Sequence, residues 1–246
     1  MLLIFISSYF IVTVASYLYV RGSHFHDNIQ NKPVDSGSAE YQWREKIYGY
    51  LVQNLNAYIL TTTPLLIMEM VGNNERSVGM FSAIISVVSL AAIAITPIAI
   101  LISPDISAAL GESKQKLKAV MRKYMMICFA LGLIITLVFV ALAKPILLLY
   151  QSQFIDALPF LYVSLITIMT YALSMPVSKM VQFSKSGSTV GARLTLWLVC
   201  SQVLSSLVLI KFFDLYGAIF CYVGMNIVYC TIMFVMSYRI FPTARK

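Results

Sequence analysis

The polar residues that fall inside hydrophobic blocks are where this chain would do chemistry, and the densest group is Gln53, Asn54, Asn56, Tyr58, Thr61, Thr62 and Thr63. On a helix Gln53, Asn56 and Thr63 share one face, flanked by Asn54 and Thr61. Amides and hydroxyls offer hydrogen bonds rather than a nucleophile or a proton relay. Such an arc can bind sugar hydroxyls in a water-filled cavity, or it can bond neighbouring helices, and both uses fit the spacing. Gln53, Asn54, Asn56, Thr61 and Thr63 are therefore the candidate substrate-binding residues. Glu69, near the end of the same block, lies where a carboxylate reaches the membrane interface.

Other chemistries leave no mark. The sequence has no HExxH, no GxSxG and no pair of carboxylates within an apolar block, so no catalytic residue is assigned and a non-enzyme is expected. His24, His26 and Asp27 carry the HxH spacing of half a metal site, but these are the only two histidines and no third ligand is evident. They read as a solvated loop, and no metal or cofactor is expected. Cys128, Cys200, Cys221 and Cys230 all sit in apolar blocks without a CxxC pair, as small packing residues do. A retinal protein would need a lysine deep in its last helix, and none stands between Leu215 and Tyr238.

The elements that must position these residues are membrane helices. The chain has 246 residues, of which 59% are hydrophobic and 11% charged, against about 25% charged in soluble domains. A span needs about 20 apolar residues, and seven segments qualify: 1–20, 47–71, 79–103, 124–150, 157–181, 190–213 and 215–241. The first lacks the leading cations of a signal peptide and is long enough to cross, so it is expected to stay as a helix. It begins at Met1 without a hydrophilic lead, as though the chain opened partway through a larger protein. The fold class expected is thus all-α, a polytopic bundle of seven transmembrane helices.

The net charge of +8 marks topology rather than nucleic acid. Alternating the seven spans puts fifteen of the eighteen Lys and Arg on one side, leaving Arg76, Lys144 and Lys211 on the other. That side is expected to be cytoplasmic, with the N-terminus outside and the C-terminus inside. The domain reading is a single helix at 1–20, a cytoplasmic linker at 21–46 and a six-helix lobe at 47–246. Residues 104–123 read as a short amphipathic helix lying at the headgroup surface, with Ile106, Leu110, Leu117 and Val120 apolar. Pro64, Pro97 and Pro176 should kink their helices. The small residues Gly217, Cys221 and Gly224, like the pairs Ser82 with Ser86 and Ser201 with Ser205, suit close packing.

Several short motifs, in order, resemble one family. A helix ending in Gly72 precedes Ser77-Val78-Gly79-Met80-Phe81, and Ser103-Pro104-Asp105-Ile106-Ser107 precedes a lysine-rich helix. Then come Lys144-Pro145-Ile146-Leu147-Leu148-Leu149-Tyr150, Phe154-Ile155-Asp156-Ala157-Leu158 and Tyr216-Gly217-Ala218. Together with the topology they resemble the C-terminal half of polysaccharide flippases of the multidrug/oligosaccharidyl-lipid/polysaccharide exporter superfamily, with residues 1–20 fitting the last helix of a missing first lobe. The chain departs in carrying Thr63 where the family often has Asp. The resemblance implies transport of an undecaprenyl-pyrophosphate-linked oligosaccharide for O-antigen, lipopolysaccharide or capsule assembly in the bacterial inner membrane. The partners it implies are that substrate, membrane lipids and a separately encoded first lobe, without nucleic acid. A multidrug antiporter of the same superfamily, or a non-transporting seven-helix receptor or assembly subunit, are the alternatives.

Overall fold

The computed structural model describes residues 36–71, 74–184 and 187–243, and they fold almost entirely as helix. In chain order these are α1 (Ser36–Val71), α2 (Glu75–Glu112), α3 (Lys114–Tyr150), a 3₁₀ turn (Ser152–Ala157), α4 (Leu158–Phe183) and α5 (Gly187–Thr243). The expected span at 1–20 and the HxH of His24 and His26 lie outside the described residues. By internal contacts the chain divides into Met1–Arg44 and Glu45–Lys246. Only the opening turns of α1 are described in the first unit, and everything below concerns the second.

Local chemistry starts each helix where it starts. The Asn74 side chain caps α2 by accepting the Arg76 amide at 3.0 Å, with Glu75 in the first turn favouring the positive end of the helix dipole. Ser113 stands between α2 and α3 and accepts the Lys116 amide at 3.3 Å. Pro159 opens α4, where its missing N–H costs nothing.

Among the described residues four helices are long and apolar enough to cross a membrane: Glu75–Glu112, Lys114–Tyr150, Ser152–Phe183 and Gly191–Ser237, with Tyr58–Val71 a shorter apolar stretch of α1. The most apolar window of α4 is 56% buried and that of α3 only 11%, so α4 is the central helix and α3 a peripheral one. Contacts agree, since α4 packs against α2, α3 and α5.

The last of these four doubles back. Asp214 has φ 47° and ψ −121°, a geometry close to the first central position of a type II′ turn, where glycine is the usual residue. Cys221 then lies 3.2 Å from Ser205 Oγ and 2.9 Å from Ser206 Oγ. Fifteen or sixteen residues of straight helix would separate them by about 23 Å, so residues 187–213 and 215–243 form two antiparallel arms. The turn falls where the expected segments 190–213 and 215–241 meet. A Cβ on Gly217 would stand 2.1 Å from the Leu209 carbonyl oxygen, so the arms close over a residue that has no room for a side chain.

The core runs in layers along the bundle. At one end Phe81, Ile84, Leu147, Leu161, Ile168, Ile210 and Ala218 pack together, beside the start of α2 and the turns at 151–157 and 214. At the other, Ile102, Ile106, Leu117, Met121, Val177, Met180 and Met233 pack beside Ser113 and the end of α4. Residues 104–123 are accordingly not one surface helix: the chain reverses at Ser113, and Ile106 and Leu117 are both fully buried, facing the core from adjacent helices. The described cations at this second end are Lys114, Lys116, Lys118, Arg122, Lys123, Lys179 and Arg193, against the acids Asp105 and Glu112. Arg76, Lys144 and Lys211 belong to the first end, with Glu69, Glu75, Asp156 and Asp214.

Candidate functional site

Helix α1 is built inside out. Its exposed face carries Ile47, Leu51, Leu55, Tyr58 and Leu66, between 45% and 55% accessible, at spacings of three, four and eight residues. Its buried side carries Leu60, Pro64, Ile67 and Met68. A soluble helix does the reverse, whereas a helix with lipid on one side and a bundle on the other has this arrangement. By sequence spacing Gln53 and Asn56 fall in the helical register of Leu60. The side chains of Gln53, Asn54 and Asn56 lie outside the described residues. Thr61 and Thr63 are half-buried. Thr62, exposed, donates to the Tyr58 carbonyl at 2.8 Å.

On the buried side Leu60 of α1 meets both arms of α5. Leu60 packs with Leu198, Cys221 and Met225. Gln202, completely buried, donates from Nε2 to the Leu60 carbonyl oxygen at 2.7 Å. The reason is local to α1. In a helix the carbonyl of residue 60 bonds the amide of residue 64, and Pro64 has none, so the Gln202 side chain supplies the missing donor. Around it Thr195 and Ser206 are also buried, and the Oγ1 of Thr195 and the Oε1 of Gln202 have no hydrogen-bond partner. Ser205 and Ser206 both contact Cys221 Sγ, tying the two arms together.

This polar seam borders an open groove of about 640 Å³ on the first arm, lined by Trp197, Cys200, Ser201, Leu204, Ser205, Val208 and Leu209. Ser205 belongs to both, bringing the buried network to the groove wall. Trp197 stands at the groove 75% exposed. The arrangement offers amide and hydroxyl hydrogen bonds beside an aromatic face. Among the described residues no group of three His, Cys, Asp or Glu is spaced to hold a metal.

A second polar cluster fixes the opposite end of the arm. Ser77 donates to Asp214 Oδ2 at 2.6 Å, holding the strained turn against the start of α2, and Arg76 pairs with Asp156 at 2.5 Å across the exposed surface. The Asp214 Oδ1 is buried without a partner.

Of the expected site, then, the structure describes only Thr61 and Thr63 as half-buried side chains of α1, while Gln202, Thr195 and Ser206 are additions. Gln202 carried a signal of its own, being an amide in the middle of an apolar run, where it is costly without a purpose. No family model, curated protein or solved structure matches this chain.

Proposed function

We propose that this chain is a transport lobe for a lipid-linked oligosaccharide, acting in surface-polysaccharide assembly in the bacterial inner membrane, with the cation-rich end in the cytoplasm. The observation that carries the reading is the inside-out build of α1. By helical spacing Gln53, Asn56 and Thr63 fall in the register away from the lipid-type stripe and Asn54 falls at its edge, and the same helix meets a seam that holds a buried glutamine amide and borders a groove with an exposed tryptophan. Gln53, Asn54, Asn56, Thr61 and Thr63 then bind sugar hydroxyls, and Pro64 gives α1 a bend point beside them. No covalent step is required: a transporter of this kind moves its substrate by alternating exposure of one site.

The test is site-directed labelling in membrane vesicles, in a chain whose four native cysteines are replaced by serine or alanine. Gln53→Cys and Asn56→Cys are expected to react with a water-soluble maleimide, and an undecaprenyl-pyrophosphate-linked oligosaccharide is expected to slow that reaction. Unreactive cysteines would make the arc packing contacts, and reactivity indifferent to the oligosaccharide would remove the substrate.

A further inference from the structure

The apolar run of α3 between Lys123 and Lys144 has a length that decides where the membrane lies. These twenty residues span about 30 Å, the thickness of the hydrocarbon layer, so Lys123 and Lys144 mark its two edges. Lys118 and Arg122 then stand about 2 to 8 Å outside one edge, at the depth of lipid phosphates.

Both cations are exposed, and the register of α3 carries their face directly into the hydrocarbon layer. Lys118, Arg122, Met126, Phe129, Leu133 and Leu137 lie within about 100° of arc. The four apolar members are 65%, 49%, 42% and 58% exposed. The other side of α3 is anchored: Leu117, Met121, Tyr124 and Cys128 are buried in the core, and Tyr124 donates to Asp105. The stripe is therefore held facing outward.

Charge at this end is unbalanced in a specific way. Glu112 is engaged by Lys116, and Asp105 by Tyr124. Neither Lys118 nor Arg122 forms an ion pair among the described residues. Two uncompensated cations one turn apart, above an exposed apolar stripe on the same helix, complement one kind of molecule: an anionic head with hydrocarbon tails.

We propose that this face of α3 binds an anionic phospholipid, its phosphate at Lys118 and Arg122 and its acyl chains along Met126, Phe129, Leu133 and Leu137. The site is on the outer surface of α3, separate from the seam between α1 and α5, and it does not depend on what the protein transports. An unshielded cation at the membrane surface is worth about a fivefold preference for a negative headgroup.

The experiment reconstitutes the purified full chain in phosphatidylcholine vesicles. Electron spin resonance then compares the motionally restricted fraction of spin-labelled phosphatidylglycerol with that of spin-labelled phosphatidylcholine. Phosphatidylglycerol is expected to be preferred at least fivefold. Lys118→Gln with Arg122→Gln is expected to bring the ratio close to one. Lys118→Arg should keep the preference, and so should Lys144→Gln with Lys211→Gln at the opposite end. If the wild-type chain has no preference, or the Lys118→Gln/Arg122→Gln chain retains it while its helicity is unchanged, the site does not exist. If the Lys144→Gln/Lys211→Gln pair loses it equally, the preference comes from overall charge and the assignment to α3 is overturned. Should Lys118→Gln/Arg122→Gln fail to fold, the single changes Lys118→Gln and Arg122→Gln decide the matter: each is expected to lower the preference, and an unchanged preference in both would overturn the assignment.

Discussion

A proline removes one amide proton from a helix, and in hydrocarbon the carbonyl it orphans finds no water to turn to. At Pro64 the orphan is the Leu60 carbonyl, and the Gln202 side chain on another helix answers it. The two positions should therefore be coupled. Gln202→Leu in the native background is expected to lower the unfolding free energy in detergent by about 1 kcal/mol, the scale of interhelical hydrogen bonds in membranes. In a Pro64→Ala background the residue-64 amide returns, and the same change should then cost nearly nothing. Equal losses in both backgrounds would mean that Gln202 acts through packing alone. The amide itself was legible as an expensive residue in an apolar run, but its role was not. The partner lies 142 positions away along the chain, and nothing local in either segment says that α1 and α5 touch.

Helix boundaries were legible wherever charge and apolar length both changed. Between the arms of α5, Lys211 and Asp214 interrupt the apolar run at bilayer spacing, and the turn is there. The stretch from Pro104 to Lys123 misled because its apolar residues fit one helical face, whereas Ser113 caps a new helix and splits them between two. A capping serine after Gly111 and Glu112 was the available signal, and periodicity outweighed it. Glycines separate the tight elements from the loose ones. Gly217→Ala places a Cβ 2.1 Å from a backbone oxygen and is expected to destabilise by about 3 kcal/mol, or to stop the arms closing. Gly132→Leu should also destabilise, since even a Cβ there would be 2.8 Å from the Ala172 Cβ where α3 crosses α4. Gly111→Ala meets nothing within 4 Å, and should raise stability by up to about 1 kcal/mol through helix propensity. Thermal unfolding of the three variants in one detergent checks the order.

At the scale of the whole molecule, the cation split along the bundle is expected to set how the chain sits in a membrane. Reporter fusions after Lys118 are expected to be active in the cytoplasm, and those after Glu75 outside. Exchanging these two outcomes would reverse the assignment. On the transport reading a single copy of this chain does not flip lipid-linked sugar, because alternating exposure needs two bodies rocking about one site. In vesicles at low protein density, fluorescent lipid-linked oligosaccharide should cross no faster than in empty vesicles. Flipping by a demonstrated monomer would refute that.

The turn at Asp214 also bears on how the protein is made. A reversal this tight, with Lys211 and Asp214 as its charges, leaves almost no loop to be moved across a membrane on its own, so both arms are expected to be delivered before either settles. The two arms then partition into the bilayer as one object, and residue 187 and residue 243 are obliged to finish on the same side. Adding or removing lysines near the C-terminus is then expected not to invert the second arm alone. It can only turn the hairpin over as a unit, against the charges on its neighbours, or leave it stranded in the insertion machinery.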